Sequence, residues 1–328
     1  MILESNTKFK NHKAFNRLYR PNKLTLGIFL PLDIYHGDLQ VFKDHTRHIQ
    51  QIDDRNFAGL WVRDIPLFDP NFGDAGQVYD PFTYLSYLAA KTNNIALCTG
   101  SIILPFWHPI ALAKVASSLD HLSDNRLILG VGSGDRAVEF PAFGVPFEHR
   151  GERFRQVLEE FHRVSQESFP TIQSDLTDIR GVDLIPKPIS GHIPTLITGA
   201  SQQSLEWIAN YGDGWITYPG ATIDSSDTLR LGQKISAWRD LIPDDQFKPH
   251  MTNEWIELTE DPYFPRTPLR GGFVLKTGRL GLIDLLTEWQ NIGVNHAALG
   301  IQFSKRPLSD VIDELAEEVL PHFSSHMQ

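Results

Sequence analysis

Cysteine is nearly absent: Cys98 is the only one in 328 residues. A single thiol forms neither an internal disulfide nor a cysteine-based zinc site, which suits a reducing compartment. Basic charge is also scarce, with 30 Lys and Arg against 40 Asp and Glu and a formal net charge of −10. Nucleic acid and anionic membrane surfaces demand clustered Lys and Arg, so both are poor partners for this chain. No run approaches the ~18 apolar residues of a membrane span. The opening Met-Ile-Leu-Glu-Ser-Asn lacks a charged stretch followed by a long apolar one, so a soluble cytoplasmic protein is expected. Several catalytic signatures are missing too. There is no G-x-x-x-x-G-K-[ST], no G-x-S-x-G, and no H-E-x-x-H or H-x-H among the 13 histidines. Walker-type nucleotide binding, a nucleophile-elbow hydrolase and a metal site therefore find no support.

What is present is an ordinary globular composition, 41% apolar and 11% aromatic, in a chain longer than most single cores. Residues 1–23 are polar and basic, and read as a mobile or surface-lying arm, with a dimer contact as the alternative, ahead of a domain at 24–328. From Leu24 a unit repeats: a short apolar run, a loop, then an amphipathic stretch. Strands are expected at 24–30, 58–63, 95–104, 126–132, 194–198, 214–217, 252–259 and 295–301. Helices are expected at 39–56, 80–91, 109–122, 148–168, 201–211, 224–241, 280–292 and 308–320, with Asp80-Pro81 a good helix start. Strand after strand with a helix between argues for parallel pairing, hence a single (β/α)8 TIM barrel, with a doubly wound open sheet as competitor. Residues 169–193 read as an insertion between the fourth helix and fifth strand, and 260–277 as a loop that could serve as a lid.

In such a barrel the chemistry sits on loops leaving the C-terminal strand ends. After the fourth strand comes Gly132-Ser-Gly134-Asp135-Arg136, whose glycines permit close backbone approach but do not complete a G-x-G-x-x-G fingerprint. After the fifth comes Gly199-Ala200-Ser201-Gln-Gln-Ser204, with Ser201 the expected helix cap. Its free N–H groups serve either simple capping or an anion such as phosphate. After the third comes Phe106-Trp107-His108-Pro109, where His108 is a packing or capping residue on residue type alone.

The runs Thr99-Gly-Ser-Ile-Ile-Leu-Pro105, His108-Pro109, Leu119-Asp120, Asn125-Arg126-Leu-Ile-Leu-Gly-Val-Gly-Ser-Gly134, Glu139-Phe140, Phe143-Gly-Val-Pro146, Arg150-Gly-Glu-Arg153, Gly199-Ala-Ser201 and Gly212-Asp-Gly-Trp215 together resemble the bacterial luciferase-like flavin monooxygenases. The match runs from about residue 24 to 220. It implies a TIM barrel binding reduced FMN, or a deazaflavin coenzyme, at its C-terminal mouth. It implies oxygenation of a small organic substrate with molecular oxygen, flavin reduction by a separate NAD(P)H reductase, and a homodimer. Alternatives within the same resemblance are deazaflavin-dependent hydride transfer and flavin binding without catalysis; outside it stands a barrel enzyme for phosphorylated sugars. By resemblance Asp64 and His108 are the catalytic candidates. Asp64, Thr99, Ser101, Ser133, Gly134, Arg150, Gly199, Ala200, Ser201, Ser204 and Tyr218 are the coenzyme contacts, and a cis peptide is placed at Gly100–Ser101. Trp61, Phe106, Trp107 and Trp215 join Tyr218 as candidate walls around the ring. No histidine follows Asp64, where luciferases proper carry one, which argues against light emission.

Overall fold

The computed structural model describes residues 7–32, 42–69, 71 and 79–323. In chain order the elements are α1 (Lys13–Leu18), β1 (Thr25–Phe29), α2 (Phe42–Asp54), β2 (Gly59–Val62), α3 (Pro81–Ala89), β3 (Ala96–Ile103), α4 (Pro109–Leu122), β4 (Leu127–Gly132), α5 (Arg150–Gln166), β5 (Ile172–Gln173), β6 (Asp178–Ile179), β7 (Thr195–Thr198), α6 (Leu205–Tyr211), β8 (Gly214–Thr217), α7 (Ser225–Arg239), β9 (His250–Leu258), β10 (Thr267–Leu269), β11 (Val274–Thr277), α8 (Arg279–Asn291), β12 (His296–Gly300) and α9 (Leu308–Glu314). The loop after β1, nominated from sequence as site-bearing, lies mostly outside the described residues, as does the expected start of α2 at 39–41.

Eight strands pair in parallel in the order β1-β2-β3-β4-β7-β8-β9-β12, and β12 returns to β1. The ring is closed, so the chain is a TIM barrel and not an open sheet. β1, β2, β4 and β12 are buried at every position, which is why they read as unbroken apolar runs without alternation. The Asp80 side chain accepts from Thr83 N and starts α3, as its sequence predicts. Arg126 ties the helical shell to the barrel: its guanidinium donates to the carbonyls of Ala89, Thr92, Ser123 and Ile95.

Two expectations are corrected and a third, the insertion, gains detail. Residues 260–277 are not a plain loop: β10 and β11 form an antiparallel pair there, and β11 extends β9 in parallel. Residues 169–193 carry the small β5–β6 hairpin. The described part of the N-terminal segment is no surface arm. Phe9, His12, Phe15, Leu18 and Tyr19 are all buried. Ala14 N donates to Asn125 O, and Arg17 donates to Phe57 O, so the segment covers the side where β4 and β2 begin, opposite the mouth.

This plug is anchored by a buried polar cluster. Asp213 accepts from Lys8 Nζ at 2.6 Å, His192 Nε2 at 2.7 Å and Thr195 N at 2.9 Å. Burial alone would raise the Asp213 pKa, but His192 and Lys8 outweigh it and hold the carboxyl well below the usual range. A carboxylate depressed in the folded state stabilises above its unfolded pKa, about 4, and that stabilisation is lost as pH falls further. Asp213→Ala should therefore cost about 3 kcal/mol at neutral pH, as for a broken buried pair. Thermal melts from pH 7 to pH 3 should show the gap between variant and parent closing toward acid; a gap independent of pH would contradict the assignment.

Candidate active site at the barrel mouth

A cavity of about 320 Å³ opens at the C-terminal ends of β2, β3, β4, β7 and β8. Each loop contributes in turn: Arg63 and Asp64 after β2, Gly100 and Ser101 on β3, Ser133 to Arg136 after β4, Thr198 to Gln202 after β7, and Tyr218 after β8. Phe147 and Arg150, at the entry to α5, close one side.

The β3 wall departs from regular pairing. Its register with β4 shifts between Thr99 and Ile102, and the Gly100–Ser101 peptide is cis. The β7 wall is a compact loop in which Gly199, Ser201 and Gln202 all have positive φ, 58°, 45° and 60°. Ser201 Oγ donates to Thr198 O, and Trp215 Nε1 donates to Gly199 O, fixing the loop from both sides. α5 approaches it closely because Gly151 has no Cβ; one would lie 2.6 Å from Gln202 Cβ.

Among the described residues, Arg150 Nε and Thr198 Oγ1 in this cavity wall are buried and have no hydrogen-bond partner. The Arg150 guanidinium stacks on the Phe147 ring at 3.7 Å and donates through Nη1 to Phe147 O. It makes no ion pair with Glu148 or Glu152. Among the described residues Arg63, Arg136 and Arg150 line the cavity beside Asp64 and Asp135, and the buried Glu139 carboxylate lies 4.0 Å from Arg136 Nη1.

Asp64 accepts from Ile103 N at 3.1 Å. Burial pushes its carboxyl up to about 6, against the opposing pull of the Ile103 N–H and a Trp107 side-chain hydrogen bond. A carboxyl with this pKa exchanges protons near neutrality, as a general acid or base must.

The sequence-predicted residues divide clearly. Asp64, Ser101, Ser133, Gly134, Arg150, Gly199, Ala200, Ser201 and Tyr218 all line the one cavity. Thr99, Ser204 and His108 do not. The Thr99 hydroxyl is fully buried and donates to Gly130 O, turned into the sheet. Ser204, not Ser201, caps α6, accepting from Trp207 N. Ser201 instead holds the preceding loop. His108 caps α4, its Nδ1 accepting from Ile110 N, and it stands outside the cavity. Of the aromatic candidates only Tyr218 reaches the cavity. Trp61 donates to His296 Nε2, Phe106 stacks on Phe143, Trp107 packs edge-on against Phe82, and Trp215 holds the Gly199 carbonyl. Sequence reasoning missed Arg63, Asp135 and Arg136. All three directly follow a strand end or its glycines, and that position was the available signal.

The architecture agrees with comparisons to known proteins. The luciferase-like monooxygenase family model matches residues 24–235. The chain belongs to the luciferase-like monooxygenase family. Among its relatives, the uncharacterized protein Rv0953c of Mycobacterium tuberculosis is 33% identical over 205 residues, 58% of this chain and 72% of that protein. The 4-hydroxyprotoasukamycin monooxygenase of Streptomyces nodosus subsp. asukaensis is 27% identical over 215 residues, 62% of this chain and 56% of that enzyme. The solved structure of the monooxygenase RslO1 from Streptomyces bottropensis superposes with a TM-score of 0.77 at 20% identity, over 92% of this chain and all of that one, a likeness of fold.

Proposed function

We propose that the barrel mouth binds FMN, and that the protein uses the reduced coenzyme with molecular oxygen to oxygenate a small organic substrate. One observation carries the reading. The buried, unpartnered Arg150 Nε and Thr198 Oγ1 share a cavity with the Ser133 and Ser201 segments, a donor set that suits a phosphate. Arg150, Ser133, Gly134, Gly199, Ala200 and Ser201 would hold the ribityl phosphate end, and Ser101 and Tyr218 the ring end. Reduced flavin, when bound, supplies the two electrons that let oxygen react with an organic substrate.

The chain's own residues supply the rest. Arg150, which makes no ion pair with Glu148 or Glu152, would offset phosphate charge that a chain of net −10 would otherwise repel. Asp64 holds an exchangeable proton at its carboxyl, fixed in direction by Ile103 N. An NAD(P)H-dependent reductase, a separate protein, would deliver the reduced coenzyme.

Absorbance titrations with FMN and with a deazaflavin coenzyme test this directly. FMN should bind in the micromolar range or tighter and at least about tenfold better than the deazaflavin. Preference for the deazaflavin would reassign the chain to hydride transfer; binding of neither would overturn the reading.

A further inference from the structure

Beside the main cavity lies a smaller chamber of about 180 Å³. Phe29, Ile216, Asn253, Trp255 and Phe273 wall it, while Arg63, Gly100, Asp135, Thr198 and Tyr218 face both spaces. We propose that this chamber receives an aromatic ring of the substrate, and that the Asn253 amide hydrogen-bonds a polar ring substituent such as a hydroxyl. The substrate role rests on the oxidoreductase reading above; the binding site itself does not.

The walls select for a ring. Phe29 meets Trp255 edge-on at 5.3 Å, and Trp255 lies tilted against Phe273 at 5.8 Å, so ring faces and edges both border the space. Aromatic guests gain from such edge-to-face and offset contacts, whereas an alkyl chain gains only area. Trp255 holds its place because β12 carries Gly300 beneath it: a Cβ there would lie 1.7 Å from Trp255 Cε3. Volume sets the limit. An apolar protein cavity of about 150 Å³ admits benzene, so this chamber takes one six-membered ring with a small substituent.

Asn253 gives the polar specificity. It is 6% exposed, and among the described residues its side-chain amide makes no hydrogen bond. Asn253 and Trp255 are two apart on β9, which brings both to the same barrel face. Asn253 lines the chamber, so donors and an acceptor that the described residues leave unused are open to a ligand or water there. A hydroxyl or carbonyl on the ring would meet them, and a methyl would not.

Calorimetric titration of the coenzyme-free protein with phenol, toluene and n-hexanol tests the proposal, with FMN binding measured separately. Phenol should bind at least about tenfold tighter than n-hexanol. Asn253→Leu should weaken phenol binding about tenfold and leave toluene within about threefold, which also shows that the chamber is intact. Equal affinity for n-hexanol and phenol in the parent protein would overturn the ring assignment, whatever the variant does. An unchanged phenol affinity in Asn253→Leu, or equal losses for phenol and toluene, would overturn the role of Asn253. FMN failing to bind while phenol binds and responds to Asn253 would remove the coenzyme reading and leave the chamber standing.

Discussion

Arg150→Ala should weaken FMN binding by about 10–100-fold while riboflavin, which lacks the phosphate, changes by no more than about threefold. Hydrogen bonds to charged groups contribute about 1.5–3 kcal/mol, and each 1.4 kcal/mol is a factor of ten. Arg150 also stacks on Phe147, so its removal alters packing as well as charge. The comparison of the two flavins separates these effects. Lost packing would weaken both ligands, whereas a lost phosphate contact weakens FMN alone. Arg150→Lys should recover only part of the loss, because an ammonium replaces a planar fork with a point charge. Equilibrium fluorescence titration of the parent and both variants with each flavin is sufficient, and equal losses for FMN and riboflavin in Arg150→Ala would place the phosphate elsewhere.

Asp64→Asn should lower turnover by about 100-fold or more, the usual scale for a general acid–base group, while making the protein more stable. The two effects share one cause. Burial raises the Asp64 pKa from 3.8 to about 6, so the ionised form is disfavoured in the folded state. The folded protein then holds a proton between about pH 4 and 6 that the unfolded chain releases. Stability falls as pH rises through that window and stays lower above it. Asparagine keeps an oxygen for the Ile103 N–H and never ionises. Its melting temperature should exceed the parent's at pH 7.5, by an amount worth up to about 3 kcal/mol, and match it below pH 4. The pH profile of the parent's activity should break near 6, and that break should vanish in the variant. A variant with unchanged stability at pH 7.5 and an unshifted break would assign the ionisation to another group.

The barrel was legible because its physics is local. Parallel strands buried on both faces read as short apolar runs, and the Pro and Asp residues beside them mark helix starts. The mouth was legible in outline, because loops that follow strand ends carry the glycines and serines that let a backbone approach a ligand. The errors have equally local causes. Lys8, Lys10, Lys13 and Arg17 made the N-terminal segment look solvated, and hid that Phe9, Phe15 and Leu18 fall on one buried face. Ser201 and Ser204 are equally good caps by type. Only the positive φ at Ser201 and Gln202 delays the helix to Leu205, and no residue-type preference reports it. His108 illustrates the same point: a histidine before a proline-initiated helix satisfies the first turn's N–H groups, and that local demand outweighs its reach toward the cavity. The smaller chamber was invisible for another reason. Phe29, Asn253, Trp255 and Phe273 come from three separate parts of the chain, and only barrel closure brings them together.

The most direct test of the account is a crystal structure of the protein with FMN bound. It should show the phosphate within hydrogen-bond distance of Arg150 Nε and the Ser201 loop, and the ring against Gly100 and Ser101. Flavin bound anywhere other than this mouth, or bound here with its phosphate pointing away from Arg150, would contradict the account.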